Sequence, residues 1–300
     1  MIKVFRGERG YIGEPMTHNI LSAINSIDQY HNNNLEKIAT KSRIRINSVG
    51  DRLEKFVEDS LADCLGVQNS EELHYPKVFS HLGEQNNPPD AIIRDGDAFE
   101  IKKIESPKSS IALNSSPPRD YLYSIDSRIT ERCRQCEKPE SWVRKDIFYV
   151  IGHVKENSLK HLFFIHGPCY AAKKGLYDRI SNPLGDRIKS GILKADLNSG
   201  ETAELGRVND VDPLGITSLR VRGIWQIENP LRVFDYMYSI NLTYEFSLVA
   251  LMLRSKYVSF PSIDRRALQR NQSITIENVL VKNPNNPNKR LDGKLIHLGW

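Results

Sequence analysis

The sequence contains few cysteines and no long hydrophobic run. Four cysteines in 300 residues are too few and too scattered for the disulfide framework of a secreted protein, which predicts a reducing compartment. The longest apolar run, at residues 247–253, is far shorter than the roughly 20 residues of a membrane helix. Residues 1–6 lack the apolar core of a signal peptide. These absences predict a cytoplasmic protein with no membrane segment.

Extremes of composition are also absent. Hydrophobic residues make up 39% and charged residues 26%, with 18 glycines and 15 prolines, which excludes collagen-like, low-complexity and wholly disordered chains. The net charge of +5 is unevenly distributed, because residues 205–300 hold 13 Lys and Arg against 8 Asp and Glu, whereas residues 1–204 hold 29 of each. A basic last third is compatible with binding to a polyanion, and equally with an ordinary solvated surface.

The pattern divides the chain into three regions. Residues 1–46 form an N-terminal helical region with one helix over 18–30, followed by an asparagine run that does not favour a helix. Residues 47–252 form the main domain. An Asn- and Pro-rich loop near the end suggests that residues 253–300 form a separate, basic C-terminal arm.

The clearest helix starts at Ser48. Apolar residues recur at three- and four-residue spacing over 49–65, Ser48 is a suitable N-cap, and Gly66 is a suitable stop. At 100° per residue, Glu54 lies at the edge of the apolar stripe, whereas Asp59 points away from it. Glu54 is therefore the acid of this helix that is best placed to face the interior.

A β-hairpin is predicted after this helix. The dipeptide Asp95-Gly96 separates two apolar segments, residues 90–94 and 98–104, and is a strong signal for a tight hairpin turn. Strands are also predicted at 146–154 and 161–166, and helices at 175–194 and 230–238. One helix before a run of strands, with further helices after it, indicates a layered α/β or α+β domain.

The hairpin brings three charged side chains together. Glu100 and Lys102 share one face of their strand, and Asp90 on the partner strand is able to approach Glu100. Two neighbouring carboxylates repel each other unless a cation lies between them, and hard oxygen ligands suit Mg²⁺. Such a site is able to hydrolyse a phosphodiester, with Lys102 holding or deprotonating a water.

The residues Pro89-Asp90, nine intervening residues and Glu100-Ile101-Lys102 resemble the PD-(D/E)xK nuclease motif. Taken alone, this pattern also fits a surface strand with alternating charges. The double proline, the hairpin, the helix with Glu54 and the apolar alternate residues of the strand favour the nuclease interpretation.

The resemblance extends to a family. Longer stretches of the sequence, from about Ser48 to Phe234, look like the NgoPII family of type II restriction endonucleases. The matching blocks are Asn87–Ala91, Glu100–Ser106, Ala112–Ser116, Gly206–Asn209, Asp212–Leu214, Leu219–Trp225 and Ile227–Pro230, and Gly50-Asp51, Leu53-Glu54 and Val57 match the family's first helix. The chain is longer than expected for the family at its start and after about Met252, and no family residue maps onto Arg265, Arg266, Arg270, Lys289 or Arg290.

The resemblance implies a restriction-endonuclease-like α/β core, a mixed central sheet flanked by helices. It implies Mg²⁺-dependent double-strand cleavage at a short palindrome, usually GGCC in this family, with Asp90, Glu100 and Lys102 as the active site. Asp90 and Glu100 would bind the metal, and Glu54 is a weaker third ligand. A palindrome also implies a homodimer, and a restriction enzyme implies a cognate DNA methyltransferase.

Candidate DNA-reading residues follow from the chemistry of guanine. The arginine fork matches guanine O6 and N7, and Arg220 and Arg222 share one face of a predicted strand. A solvated edge strand is the alternative. Lesser candidates for DNA contact are Arg207, Asn209, Asn114, Ser115 and Ser116. The last three are equally suited to capping a following helix.

Two other functions stay open from the sequence. One is a nuclease of the same fold that selects branched or damaged DNA, and the other is a sequence-specific DNA-binding protein without cleavage. Cys133 and Cys136 have the spacing of half a zinc site, but no second pair follows at a suitable distance.

Overall fold

The computed structural model describes residues 18–36, 48–84, 87–107, 109–137, 142–195, 197, 200, 204–238 and 244–300. Its helices are α1 (Ile20–Tyr30), α2 (Val49–Leu61), α3 (Ser70–Leu73), α4 (Tyr75–Val78), α5 (Glu131–Arg134), α6 (Gly167–Tyr170), α7 (Lys174–Lys194), α8 (Pro230–Val233), α9 (Arg254–Ser259) and α10 (Ser262–Arg270). Its strands are β1 (Phe79–Glu84), β2 (Asn87–Ile93), β3 (Ala98–Ile104), β4 (Ile111–Ala112), β5 (Tyr121–Tyr123), β6 (Arg144–Lys155), β7 (Ser158–His166), β8 (Gly206–Val208), β9 (Leu219–Val221), β10 (Gln226–Ile227), β11 (Ser247–Leu253), β12 (Ile274–Asn283) and β13 (Asn286–Gly299).

A mixed sheet forms the centre of the molecule. Its strands follow the order β1-β2-β3-β6-β7-β11-β13-β12, and β5 pairs with the start of β6. The pairs β3–β6 and β7–β11 are parallel, and the other neighbours are antiparallel. The predicted mixed central sheet flanked by helices is thereby confirmed.

Both faces of the sheet are buried. On one face, α1, α2, α9 and α10 pack against the sheet through a cluster that includes Leu21, Phe56, Phe99, Phe148 and Leu268. On the other face, the loops and short elements after β3 contribute a second cluster that includes Ile92, Trp142, Tyr149, Tyr170 and Phe234. No helix of the described residues is long and apolar enough to cross a membrane.

Helix α2 begins as its sequence predicts. Ser48 Oγ accepts a hydrogen bond from Asp51 N at 3.1 Å, and Ser48 N donates to the Asp51 carboxylate at 3.0 Å, which forms a capping box. The helix ends at Leu61 rather than at Gly66. Asp63 already adopts the left-handed conformation, with φ 51°, so the chain leaves the helix before the glycine is reached.

Asp59 of α2 points away from the apolar stripe but is buried, with 2% of its surface exposed. Its Oδ1 accepts hydrogen bonds from Tyr75 Oη at 2.9 Å and from Lys55 Nζ at 3.2 Å. Residues after the helix thus cover a side of α2 that its own periodicity suggests is exposed.

The predicted hairpin is confirmed as β2–β3. Ala91 pairs with Phe99 and Ile92 with Ala98, and Asp95 at the turn has φ 54°. A Cβ on Gly96 would lie 2.9 Å from Ile93 Cγ2, so the turn favours glycine there. This register places Asp90 directly opposite Glu100.

The last part of the chain is paired with the sheet. Residues Gly293–Gly299 of β13 pair antiparallel with the whole of β11, and β12 pairs with β13 at the edge. Residues 253–300, which the sequence suggests are a separate arm, thus contribute two strands to the central sheet. The boundary at residue 252 lies within β11, and the division into three regions stays a prediction. The helix predicted over 230–238 is limited to Pro230–Val233.

Candidate active site

Three charged side chains meet on the β2–β3 hairpin. Lys102 Nζ lies 2.7 Å from Glu100 Oε1 and 3.4 Å from Asp90 Oδ2. Asp90 Oδ2 also accepts a hydrogen bond from Ile101 N at 2.5 Å. Alternation along β3 separates Glu100 and Lys102 from Phe99 and Ile101, which are buried in the core on the side of α2. The structure therefore brings together the three residues of the predicted catalytic set.

Burial and the closeness of two carboxyl groups disfavour the ionised form of Asp90 in this cluster. Burial, and then the neighbouring Glu100 carboxylate, raise the pKa of Asp90 to about 7. Burial by itself would lower the pKa of Lys102, but Glu100 and Asp90 raise it above its ordinary value. Lys102 is consequently a persistent cation at neutral pH, and it only partly offsets the repulsion between the two acids.

The cluster fits a divalent cation with oxygen ligands. Glu100 Oε2 is buried and has no hydrogen-bond partner among the described residues, so one carboxylate oxygen has an unused lone pair. A cation at the pair would relieve the repulsion that raises the pKa of Asp90. Mg²⁺ commonly takes only one or two protein carboxylates and keeps several waters.

Glu54 does not complete a three-ligand cluster. Burial raises its pKa and Lys102 lowers it, so Glu54 lies within electrostatic reach of the site. No group of three His, Cys, Asp or Glu side chains in the described ranges is close enough to hold a metal ion. Leu53 and Phe56 of the same helix pack in the core with Phe99. A metal-binding role for Glu54 stays a prediction.

The acidic pair should make the metal-free protein less stable as the pH rises. The folded-state pKa of Asp90, about 7, lies above the ordinary 3.8, so ionisation costs stability from about pH 4 and in full above pH 7. At pH 8 in EDTA, we expect Asp90→Asn to raise the melting temperature by roughly 2–4 °C per kcal/mol of burial and repulsion cost removed. Mg²⁺ should raise the melting temperature of the wild type and not of the variant.

Asp126→Asn is the matched control for this measurement. Burial raises the pKa of Asp126, but the ion pair with Arg119, at 2.8 Å, holds it below its ordinary value. That carboxylate therefore stabilises the fold above about pH 4, and its replacement should lower the melting temperature at pH 8 with or without Mg²⁺. Equal shifts in melting temperature for the two variants would contradict the proposed cost of ionising Asp90.

The cluster opens into a cleft with a volume of about 690 Å³. Arg220 of β9 and Arg222, which follows it, line the cleft together with Asp90, Glu100 and Lys102. The arginine side chains are about half exposed, at 53% and 52%. The structure thus places the two candidate base-reading residues and the acidic cluster around one space.

The remaining predicted residues divide into two groups. Asn114, Ser115 and Ser116 line the same cleft. They cap no helix in the described residues, because the next helix is α5, which Thr130 caps. The capping alternative is therefore wrong. Arg207 of β8 pairs with Arg220 in the ladder, but neither Arg207 nor Asn209 lines the cleft.

Two charged residues of the lining carry no signal in the sequence. Arg128 lines the cleft, and its Nη1 donates a hydrogen bond to Ser115 O at 2.5 Å. Glu204 also lines the cleft and forms ion pairs with Arg220 and Arg222. Neither residue carries a local signal, since Arg128 lies in a loop and Glu204 is separated by 16 positions from Arg220.

The sequence model of the NgoPII restriction endonuclease family matches residues 18–282. The chain belongs to this family. It is 42% identical over 260 residues to the type II restriction enzyme NgoPII of Neisseria gonorrhoeae, which covers 86% of this chain and 91% of that enzyme. No solved structure matches the chain. As a member of the NgoPII family, the protein is a type II site-specific deoxyribonuclease.

The match to the NgoPII family is longer than the blocks between Ser48 and Phe234 suggest. It begins at residue 18, just before α1, and continues to residue 282 in β12. Arg265, Arg266 and Arg270 on α10 therefore lie inside the matched region, which corrects the expectation that the chain departs from the family after about Met252. Lys289 and Arg290 on β13 lie beyond it.

Proposed function

We propose that the protein cuts both strands of DNA at a short GC-rich palindrome, GGCC by its family resemblance, in a Mg²⁺-dependent reaction. Hydrolysis would leave a 5′-phosphate and a 3′-hydroxyl. One observation carries this proposal. A single cleft is lined by Asp90 and Glu100, whose carboxylates both contact Lys102, and by two arginines of the kind that read guanine.

Asp90 and Glu100 are the residues that would hold Mg²⁺. When bound, the ion would polarise the phosphoryl oxygen and lower the pKa of water. Lys102 would hold the attacking water and stabilise the negative charge that develops on the phosphate. Its raised pKa favours this positioning role over deprotonation of water, because a charged ammonium has no lone pair to accept a proton.

The proposal includes two partners in addition to DNA. A palindromic duplex presents two equivalent strands, and a two-fold homodimer presents one active site to each. A cognate methyltransferase would protect the host DNA in the cytoplasm. Arg128 and the Asn114–Ser116 segment would contact the DNA backbone or base edges from the wall of the cleft.

Digestion of plasmid DNA tests the proposal. With Mg²⁺ the protein should give discrete fragments, and sequencing of their ends should show one palindrome with 5′-phosphates. Preferential cutting of branched DNA would instead support a structure-selective nuclease. Specific binding to one duplex with no cutting under any Mg²⁺ concentration would support a DNA-binding protein and contradict the nuclease proposal.

A further inference from the structure

An acidic side chain lies among the groups that would meet DNA. Glu204 Oε1 accepts a hydrogen bond from Arg220 Nη2 at 2.8 Å, and Glu204 Oε2 accepts one from Arg220 Nε at 3.0 Å. Arg222 Nε lies 2.5 Å from Glu204 Oε1. One carboxylate therefore contacts both guanidinium groups. The Glu204 side chain is 11% exposed, so it lies behind two arginines that are about half exposed.

The contacts with Glu204 use only some of the N–H donors of each guanidinium group. A guanidinium has five N–H donors, and Arg220 donates only its Nε proton and one Nη2 proton to Glu204. Its two Nη1 protons and the second Nη2 proton donate to no other residue in the part of the chain that the structure describes. The ion pair of Arg222 is made through Nε. The terminal Nη1/Nη2 fork of each arginine is therefore available to the O6 and N7 atoms of guanine.

Glu204 also changes the charge of this wall of the cleft. Two arginines alone would add two positive charges, whereas the group with Glu204 carries one. Partial burial raises the pKa of Glu204, but hydrogen bonds and charge from Arg220, with Arg222, hold it below its ordinary value, so the carboxylate stays ionised. A negative charge close to DNA weakens sequence-independent attraction to phosphates and leaves contacts to bases as the source of affinity.

We infer that Glu204 is a specificity-determining positioning residue, which orients the forks of Arg220 and Arg222 toward base edges and weakens binding to DNA of the wrong sequence. This inference rests on the proposed function. Glu204 itself need not touch the DNA. Its effect is exerted through the two arginines, since a flexible arginine without this anchor is free to bind any phosphate, with no dependence on sequence.

Fluorescence anisotropy in EDTA, where cleavage does not occur, tests the inference. One labelled duplex carries GGCC, and a second has the same base composition in scrambled order. For Glu204→Gln, we expect the preference for the GGCC duplex to fall roughly tenfold, the loss of about one oriented base contact. Affinity for the scrambled duplex should increase, and its logarithm should decrease more steeply with salt, by about one additional phosphate contact.

Two variants separate positioning from general damage. Glu204→Asp keeps the charge at a shorter reach, and we expect the wild-type salt dependence with part of the discrimination lost. Glu228→Gln is the matched control, because Glu228 forms an ion pair with Arg232 at 3.2 Å outside the cleft. This variant should bind both duplexes with the affinity of the wild type. Melting temperatures of all variants are measured alongside.

Two outcomes would overturn the inference. The first is wild-type discrimination and salt dependence in Glu204→Gln. The second is an equal loss of affinity for both duplexes at an unchanged melting temperature. Failure of the nuclease proposal is seen separately, as wild-type protein that cuts no DNA with Mg²⁺. If the wild type does not prefer GGCC, that recognition site is wrong, and the salt dependence on the scrambled duplex still decides the role of Glu204.

Discussion

Replacement of Lys102 with alanine should lower the rate of DNA cleavage by about 10²–10³-fold, the loss typical when one preorganised donor is removed from a reaction site. Its ammonium contacts both carboxylates, at 2.7 and 3.4 Å, and no other cation of the described residues pairs with them. Asp90→Ala should have a similar effect, because it removes one of the two proposed Mg²⁺ ligands. Single-turnover cleavage of plasmid DNA at saturating Mg²⁺ measures both variants.

Lys103 is a matched control for Lys102. It is the next residue on β3, so its side chain projects to the other face, and its Nζ pairs with the exposed Glu105 at 2.7 Å. Lys103→Ala should cleave at close to the wild-type rate. If Lys103→Ala were as inactive as Lys102→Ala, the loss would reflect damage to the strand. If Asp90→Ala cleaved DNA at the wild-type rate, the β2–β3 hairpin would not be the active site.

The acidic cluster was predictable because it depends on local geometry. Asp95-Gly96 defines a tight turn, the turn defines the register, and the register places Asp90 opposite Glu100 within a few residues of sequence. The start of α2 is local in the same way, since Ser48 and Asp51 cap each other. Short-range hydrogen bonds and side-chain alternation are sufficient for these features.

Features that depend on distant partners were not predictable. The burial of Asp59 depends on Tyr75, which begins α4 after a loop and the short helix α3. The role of β13 depends on pairing with β11 and β12, and a charged, Asn-rich sequence such as 283–290 gives no sign of it. Glu204 has no periodicity or motif that links it to Arg220. In each case a tertiary contact decides the environment of a residue whose own sequence neighbours are uninformative.

The proposed reading of guanine by Arg220 and Arg222 gives the second large expected effect on cleavage. Arg220→Ala and Arg222→Ala should each lower cleavage at the cognate site by roughly 10²-fold or more, because a bidentate contact contributes about 1–3 kcal/mol and a palindrome is read twice. Both variants should fold normally, since their side chains are about half exposed. Cleavage of a plasmid with one cognate site measures the loss.

Lysine distinguishes base reading from phosphate binding at these positions. If Arg220 and Arg222 only attract phosphates, Arg220→Lys and Arg222→Lys keep the charge and should cut almost as well as the wild type. If they read guanine, lysine lacks the planar fork that matches O6 and N7, and cleavage should fall well below the wild-type rate. Arg232→Ala, whose side chain is 63% exposed and lies outside the cleft, controls for the loss of a surface charge. Glu204 contacts the Nε atom of both arginines. Arg220→Lys and Arg222→Lys would lose this Nε contact as well as the planar fork, so sequence discrimination should fall together with the cleavage rate.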